Sequence, residues 1–266
     1  MENSKYISSR GDRYGANYIP AICYIFLCES VNNDCLYHNC DKNCNRYVNT
    51  ILHNYLLDKT NKCNDRNIIS KDIHKKNKGW ITKYITKEIY EKTNNSFPDI
   101  FYKSNIYNEI RNIYINRYGE KSFTGDSCVI HVRLDDVRKR ANGNNQRFIG
   151  ELNLINLINT VLNKFKLDIF LITTNNIVDK KICSDALIKS NFNQTKDLTY
   201  YILGSDDIDY DIYLMMTSKV LITSCSTFSF IPAILNENIV YSYCKWPHYC
   251  DLLGTEKSQK FVLLDK

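Results

Sequence analysis

The second half of the chain alternates between two hydrophobic patterns. Short runs of β-branched and aromatic residues predict buried strands, and the segments between them carry apolar residues at helical spacing. The predicted strands are 127–133, 167–174, 198–204, 220–224 and 238–244. The predicted helices are 148–165, 178–190, 211–219 and 227–236. Five strands alternating with four helices indicate an α/β fold with a doubly wound parallel sheet.

The first half is less regular but begins in the same way. Strands are predicted at 5–9 and 34–38, with a Gly-containing turn and an apolar helix at 17–29 between them, a βαβ-like order. Residues 46–120 are mostly helical in pattern. The segment 118–127 carries two glycines and few large aliphatic residues, which is typical of a linker. The sequence therefore predicts two Rossmann-like halves, 1–120 and 121–266.

Composition narrows the classes of function. The chain has 266 residues, 44% of them hydrophobic, which is enough for a substantial core. Its net charge of +6 is spread along the chain, so it favours anionic ligands only weakly and forms no basic patch typical of a nucleic-acid binder. No apolar run approaches the roughly 20 residues of a membrane span, and no export signal is recognisable. We expect a cytoplasmic protein without a membrane span.

Eleven cysteines without an export signal are expected to be mostly reduced and buried. One group allows another interpretation, because Cys35, His38, Cys40 and Cys44 could form a zinc site. Their spacing is irregular and no second CxxC pair follows, which favours a structural role over zinc. A zinc site at these four residues stays an open alternative.

A string of hydroxyls separates the strand at 220–224 from the apolar helix that follows. The five are Thr223, Ser224, Ser226, Thr227 and Ser229. In a parallel sheet such a joint lies at the carboxyl edge, where hydroxyls and backbone N–H groups suit a phosphate. A simple helix cap explains one hydroxyl but not five.

A second polar group ends the strand at 127–133. His131 and Arg133 are two residues apart and therefore project from one face of the strand as a basic pair. The planar fork of Arg133 matches two phosphate oxygens, although a surface pair with Asp135 or Asp136 is the simpler alternative. Near the N-terminus, the glycines of RGDRYG permit a tight turn before a helix.

Together, these three stretches resemble the GDP-fucose-utilising glycosyltransferases, the superfamily of α1,2- and α1,6-fucosyltransferases and protein O-fucosyltransferases. HVR at 131–133 is similar to the family's H-x-R motif, and SCSTFS at 224–229 is similar to its S-x-S-[ST]-F-S-W turn. DIYLM at 211–215 resembles the preceding D-x-x-L-M helix, and RYGAN at 13–17 resembles the N-terminal loop. The chain departs from the pattern at Ala16, Leu134, Asp135 and Phe230.

The resemblance implies a GT-B fold, with an acceptor-side domain at 1–120 and a nucleotide-sugar-binding domain at 121–266. It implies metal-independent, inverting transfer of a sugar, fucose above all, from a GDP-sugar to a glycan, protein or small-molecule hydroxyl, with no cofactor. The resemblance implies that Arg133 lies at the pyrophosphate. A general base is also needed, and we expect it to be Asp12 in the glycine loop or Asp136 just beyond Arg133, because these carboxylates are expected to face the interdomain cleft. The implied donor-binding residues are His131, Arg133, Ser224, Ser226, Thr227, Phe228, Ser229, Gly15, Asn17 and Asp211.

Two alternatives accompany this interpretation. Asp207 and Asp209 form a D-x-D sequence that could bind a metal ion in a metal-dependent glycosyltransferase, although acidic residues at a helix start are commonly stabilised by the helix dipole. A degenerate nucleotide-binding domain without turnover is the other alternative, given the loss of the second Arg at Leu134.

Overall fold

The structure is a computed structural model that describes part of the chain. The described residues are 5–8, 22, 26, 35–38, 50–59, 61–62, 87, 90–91, 93–95, 97–119, 126–134, 149–195, 197–204, 206–226, 228–242 and 261–263. The chain divides into two compact units, one of Met1–Arg117 with Trp246–Ser258 and one of Tyr118–Lys245 with Gln259–Lys266. Domains at 1–120 and 121–266, with the roles that the resemblance implies, stay a prediction.

The first unit contains a small parallel sheet in the order β1-β2-β3. Within the described residues, its strands are β1 (Lys5–Ser8), β2 (Cys35–His38) and β3 (Asn61–Lys62), and the helices whose bounds are described are α1 (Ile51–Lys59), α2 (Phe97–Phe101) and α3 (Asn105–Tyr118). The strands predicted at 5–9 and 34–38 are confirmed, and their parallel pairing agrees with a βαβ order. The prediction of mostly helix over 46–120 missed β3.

Aromatic and aliphatic side chains share the described core of this unit. The ring of Phe26 lies edge-on to both Phe97 and Phe101, with centroids 5.6 Å away in each case.

Glu109 on α3 accepts a hydrogen bond from the Tyr55 hydroxyl of α1 at 2.8 Å and pairs with Lys59 Nζ at 2.7 Å. The hydrogen bond from Lys59 is the main reason that the pKa of Glu109 is lowered. These contacts join α1 to α3.

The second unit contains a six-stranded sheet in which every pairing is parallel. Its strands are β4 (Ser127–His131), β5 (Asp168–Ile172), β6 (Tyr200–Leu203), β7 (Val220–Thr223), β8 (Ile239–Ser242) and β9 (Phe261–Leu263). Its α-helices are α4 (Glu151–Phe165), α5 (Ile177–Lys189), α6 (Ile208–Thr217) and α7 (Phe230–Leu235). The five predicted strands and four predicted helices are confirmed, but β9 was missed, and α7 begins three residues later than predicted.

The strand order β6-β5-β4-β7-β8-β9 is the 3-2-1-4-5-6 order of a Rossmann sheet. In that order β5 and β6 are added on one side of β4, and β7, β8 and β9 are then added on its other side. The carboxyl ends of β4 and β7 therefore flank the point where the winding direction reverses. Ligands of such sheets bind in the crevice at that point.

Both faces of the central strands are buried, which explains why these strands read as continuous apolar runs. All five residues of β4 and all four of β7 are buried. One face of the sheet packs against α4, whose buried residues Leu154, Leu157, Ile158, Val161 and Leu162 recur at helical spacing. Val129 and Leu221 are fully buried on the other face.

A buried asparagine joins the end of α6 to the end of α7. Asn236, the residue after α7, is fully buried, and its Nδ2 donates hydrogen bonds to the Met215 carbonyl at 2.9 Å and the Ser218 carbonyl at 3.0 Å. Its Oδ1 accepts a hydrogen bond from the backbone N–H of Asn238 at 2.6 Å. One side chain thus satisfies polar groups on both sides of the β7–α7 segment.

Candidate functional site at the carboxyl edge of the sheet

The two polar stretches that the sequence singled out lie beside each other. β4 and β7 are paired in parallel, with Ile130 opposite Ile222, so the residues that follow the two strands emerge at the same edge of the sheet. His131 and Arg133 come from β4, and residues 224–229, here called the hydroxyl turn, come from β7. The expectation that these stretches meet at one edge is confirmed.

His131 binds the first residue of the hydroxyl turn. Its Nδ1 lies 2.8 Å from Ser224 Oγ, and both side chains are buried. The imidazole also contacts the ring of Phe228, with centroids 5.4 Å apart. His131 therefore connects the end of β4 to two positions of the turn.

His131 is not a cation in this environment. Burial lowers its pKa from the ordinary 6.5 to about 3, because removal from water disfavours the charged imidazolium. Burial therefore favours a neutral imidazole at position 131 beside the guanidinium of Arg133, and the donor-binding roles of the two residues stay a prediction.

Arg133 is half-buried and oriented by the backbone of the hydroxyl turn. Its Nη1 donates a hydrogen bond to the Cys225 carbonyl at 3.0 Å. Cys225 itself is buried and disulfide-bonded, which departs from the expectation of reduced cysteines, whereas Cys128 and Cys183 are free and buried as expected. Arg133 thus stands beside the turn with its guanidinium fixed by a main-chain oxygen.

The hydroxyls of the turn hydrogen-bond mainly within the protein. Ser226 Oγ accepts from the backbone N–H of Phe228 at 3.2 Å, and Ser229 Oγ donates to the Ser226 carbonyl at 3.2 Å. Ser224 and Ser229 are fully buried, and Thr223 Oγ lies 3.4 Å from the Tyr241 carbonyl. These hydroxyls shape the turn, and the groups with partial exposure at its surface are Arg133 and Phe228.

Several predicted site residues cannot be placed in this geometry. Asp12, Gly15, Asn17, Asp136 and Thr227 lie outside the described residues, as does Asp135, the alternative partner of Arg133. Their assignment as catalytic or donor-binding residues stays a prediction.

The acidic residues of the D-x-D sequence begin α6. Asp207 is its N-cap, with Oδ1 accepting from the backbone N–H groups of Asp209 at 3.1 Å and Tyr210 at 3.2 Å. The Tyr118 hydroxyl also donates to both carboxylate oxygens of Asp207, at 3.0 and 2.9 Å. Asp209 and Asp211 are buried in the first turn, where negative charge complements the helix dipole, as expected. Helix capping therefore accounts for Asp207.

No group of three or more His, Cys, Asp or Glu in the described part of the chain has the proximity that a metal ion needs. The possible zinc site falls partly outside that part, since Cys40 and Cys44 are not described and Cys35 and His38 are described only as backbone of β2. Among the described helices, none combines the length and apolar composition required to cross a bilayer.

Sequence reasoning overlooked a polar group at the neighbouring strand ends. After β5, Thr174 Oγ1 donates to Asp179 at 2.6 Å, and Asn175 Nδ2 donates to Asp206 beyond β6 at 2.9 Å. A Cβ on Gly204 would overlap the Thr174 carbonyl, so the two strand ends are in close backbone contact. The sequence indicated this group by the polar run TTNN at 173–176, which ends a predicted strand. The sequence could not indicate the Cys225 carbonyl that binds Arg133, because every residue has a backbone carbonyl.

The buried imidazole predicts a specific pH dependence of stability. Between about pH 6.5 and 3 the unfolded chain binds a proton at His131 that the folded chain does not, so the free energy of unfolding falls as the pH falls. The contribution is at most about 1.4 kcal/mol per pH unit. Urea unfolding at several pH values should show a shallower acid dependence for His131→Asn than for the wild-type protein, with parallel curves above pH 6.5. Identical slopes at acid pH would show that His131 is not kept neutral by the fold.

No protein-family model matches the sequence, and no curated protein matches it. The structure is similar to E. coli ADP-heptose lipopolysaccharide heptosyltransferase II, with a TM-score of 0.52 and 9% identity over 98% of this chain and 90% of that one.

Two further solved structures are similar at lower scores. The glycosyl transferase family 9 protein from Veillonella parvula gives a TM-score of 0.49 and 8% identity, covering 98% of this chain and 86% of that one. POFUT1 in complex with GDP-fucose gives a TM-score of 0.46 and 10% identity, covering 89% and 95% respectively. The heptosyltransferase comparison shows that this chain shares the α/β fold of that protein, with a parallel sheet and helices.

Proposed function

We propose that the protein is a glycosyltransferase that moves a sugar from a nucleoside-diphosphate donor to an acceptor hydroxyl. The observation that carries this proposal is the position of Arg133, which stands at the reversal point of a Rossmann sheet and is oriented by a hydrogen bond to Cys225. A glycosyltransferase-like fold with a cation at the reversal point suits a donor whose leaving group is a diphosphate.

The transfer is proposed as a single displacement. The acceptor oxygen forms a bond to the anomeric carbon while the bond from that carbon to the β-phosphate oxygen breaks, which inverts the anomeric configuration. The electron pair of the broken bond leaves with the nucleoside diphosphate, and the acceptor proton passes to a carboxylate. Asp12 and Asp136 are the proposed bases.

Arg133 contributes electrostatic stabilisation of the leaving group. Negative charge accumulates on the β-phosphate as the bond breaks, and a positioned guanidinium favours that charge without reorganisation. His131 is neutral and buried, so it supplies no charge to the diphosphate. The proposed mechanism is metal-independent because Arg133 and the polar groups of the turn take the role of a divalent ion, and it needs no cofactor.

Two donors have specific support. The motifs at 131–133 and 224–229 resemble those of GDP-fucose-utilising enzymes, which favours GDP-fucose. The fold is similar over nearly the whole chain to an ADP-heptose heptosyltransferase, which favours an ADP-sugar as the second candidate. The acceptor is proposed to be a glycan, a protein or a small molecule bearing a free hydroxyl.

Nucleotide binding by metal-stripped protein tests the proposal. We expect calorimetric titration in EDTA to show selective binding of one nucleoside diphosphate from a panel of GDP, ADP, UDP, dTDP and CDP. GDP is the nucleotide that we expect to bind. Sugar transfer from the corresponding donor should also persist in EDTA. Loss of activity in EDTA with recovery on Mn²⁺ addition would favour the metal-dependent alternative through Asp207 and Asp209. Binding without turnover would favour the degenerate domain, and no binding would overturn the proposal.

A further inference from the structure

His131 and Arg133 contact successive residues of the hydroxyl turn. The imidazole is 2.8 Å from the side chain of Ser224, and the guanidinium donates to the carbonyl of Cys225, the next residue. Two side chains that leave β4 on one face are thus fixed at two adjacent points of the segment that follows β7. The position of the turn and the position of Arg133 are therefore coupled.

The bond between His131 and Ser224 suits a permanent connection. Both residues are buried, so water competes weakly for the imidazole and the hydroxyl. Phe228 covers one side of the imidazole. Burial is the cause of the low pKa of His131, and Arg133 is a charged group at the same strand end.

We infer that His131 is a positioning residue, which holds Ser224 and thereby places the Cys225 carbonyl where it orients the Arg133 guanidinium toward the donor diphosphate. This inference rests on the proposed function. It assigns His131 no contact with the donor, in contrast to the donor-binding role that the family resemblance implies.

Four proteins test the inference, namely the wild type and the variants His131→Leu, His131→Asn and Ser224→Ala. Leucine approximates the volume of the imidazole without its polar atoms, whereas the asparagine amide can place a polar atom near the position of Nδ1. Ser224→Ala removes the same hydrogen bond from the other side with a smaller change of volume. The variants that remain folded by thermal unfolding are titrated with the nucleoside diphosphate that the wild type binds and with its monophosphate.

We expect His131→Leu and Ser224→Ala each to weaken diphosphate binding about tenfold, which is the scale of one hydrogen bond. Binding of the monophosphate should change less than about twofold, because the effect acts through Arg133 on the diphosphate. His131→Asn should recover diphosphate binding to within about threefold of the wild type, since it can restore the bond to Ser224.

A purely structural role predicts other results. Wild-type diphosphate affinity in both His131→Leu and Ser224→Ala would overturn the inference while leaving the proposed function intact. Equal weakening of diphosphate and monophosphate, with no recovery in His131→Asn, would overturn it as well. Failure of the wild type to bind any nucleotide would overturn the proposed function itself, and that result is known before any variant is compared.

Discussion

Replacing Arg133 by alanine is expected to lower turnover at least about a hundredfold, the scale of losing a preorganised group that stabilises developing charge. The guanidinium is the charged group that the structure brings to the hydroxyl turn, through its bond to the Cys225 carbonyl. Because the negative charge on the leaving diphosphate is greater in the transition state than in the bound donor, the loss should appear mainly in kcat and less in KM. Steady-state kinetics with the donor identified by titration measures both.

Lys219→Ala is the matched control for this variant. It also removes one positive charge, but Lys219 precedes β7 at the amino edge of the sheet, where it pairs with Asp126 at 2.9 Å on the surface. Its turnover should stay within about twofold of the wild type, because Lys219 lies at the opposite edge of the sheet from the proposed site and exposed ion pairs contribute little to stability.

Arg133→Lys should recover part of the activity, since it keeps the charge but loses the planar fork. Near-normal turnover in Arg133→Ala would contradict the proposed role of this residue.

The largest expected effect on stability follows replacement of Asn236 by alanine. This change removes the donor to the Met215 and Ser218 carbonyls and the acceptor for the Asn238 N–H in a fully buried position. We expect the free energy of unfolding to fall by about 3 kcal/mol, because several buried polar groups lose a partner at once. Urea unfolding monitored by circular dichroism gives the difference.

Asn238→Ala provides the comparison. Asn238 also donates to the Ser218 carbonyl, at 3.1 Å, but its side chain is exposed, so water can replace the lost bond. Its cost should stay below about 1 kcal/mol. If the two variants were equally stable, the junction between α6 and α7 would not depend on the buried amide.

Sequence patterns were most informative where periodicity and burial agree. The strands and helices of the second half were predicted because both faces of the central strands are buried and because α4 has one apolar stripe at helical spacing. The proximity of His131 and Arg133 to the hydroxyl turn followed from parallel topology alone. β3 and β9 were missed since they have only two and three residues, too few for a periodic signal.

The chemistry of the site was less predictable than its location. The charge of His131 depends on burial at the meeting point of two distant strands, and a one-dimensional pattern does not contain that burial. The hydroxyls of residues 224–229 looked like ligand donors because their number exceeds what a cap requires. In the structure, Ser226 and Ser229 bond to backbone groups of the same turn and Ser224 bonds to the His131 side chain, and the sequence does not distinguish these partners from a phosphate.

The pairing of β4 with β7 also determines when the site can assemble during folding. His131 and Ser224 are 93 residues apart in the chain, and the hydrogen bond between them closes a loop that contains β5, β6 and three long helices. Contacts of such high sequence separation cost loop-closure entropy and tend to form after local structure. The proposed diphosphate site would therefore be a property of the completed sheet, and a nucleotide bound there is expected to stabilise the finished fold over intermediates in which the central pairing is absent.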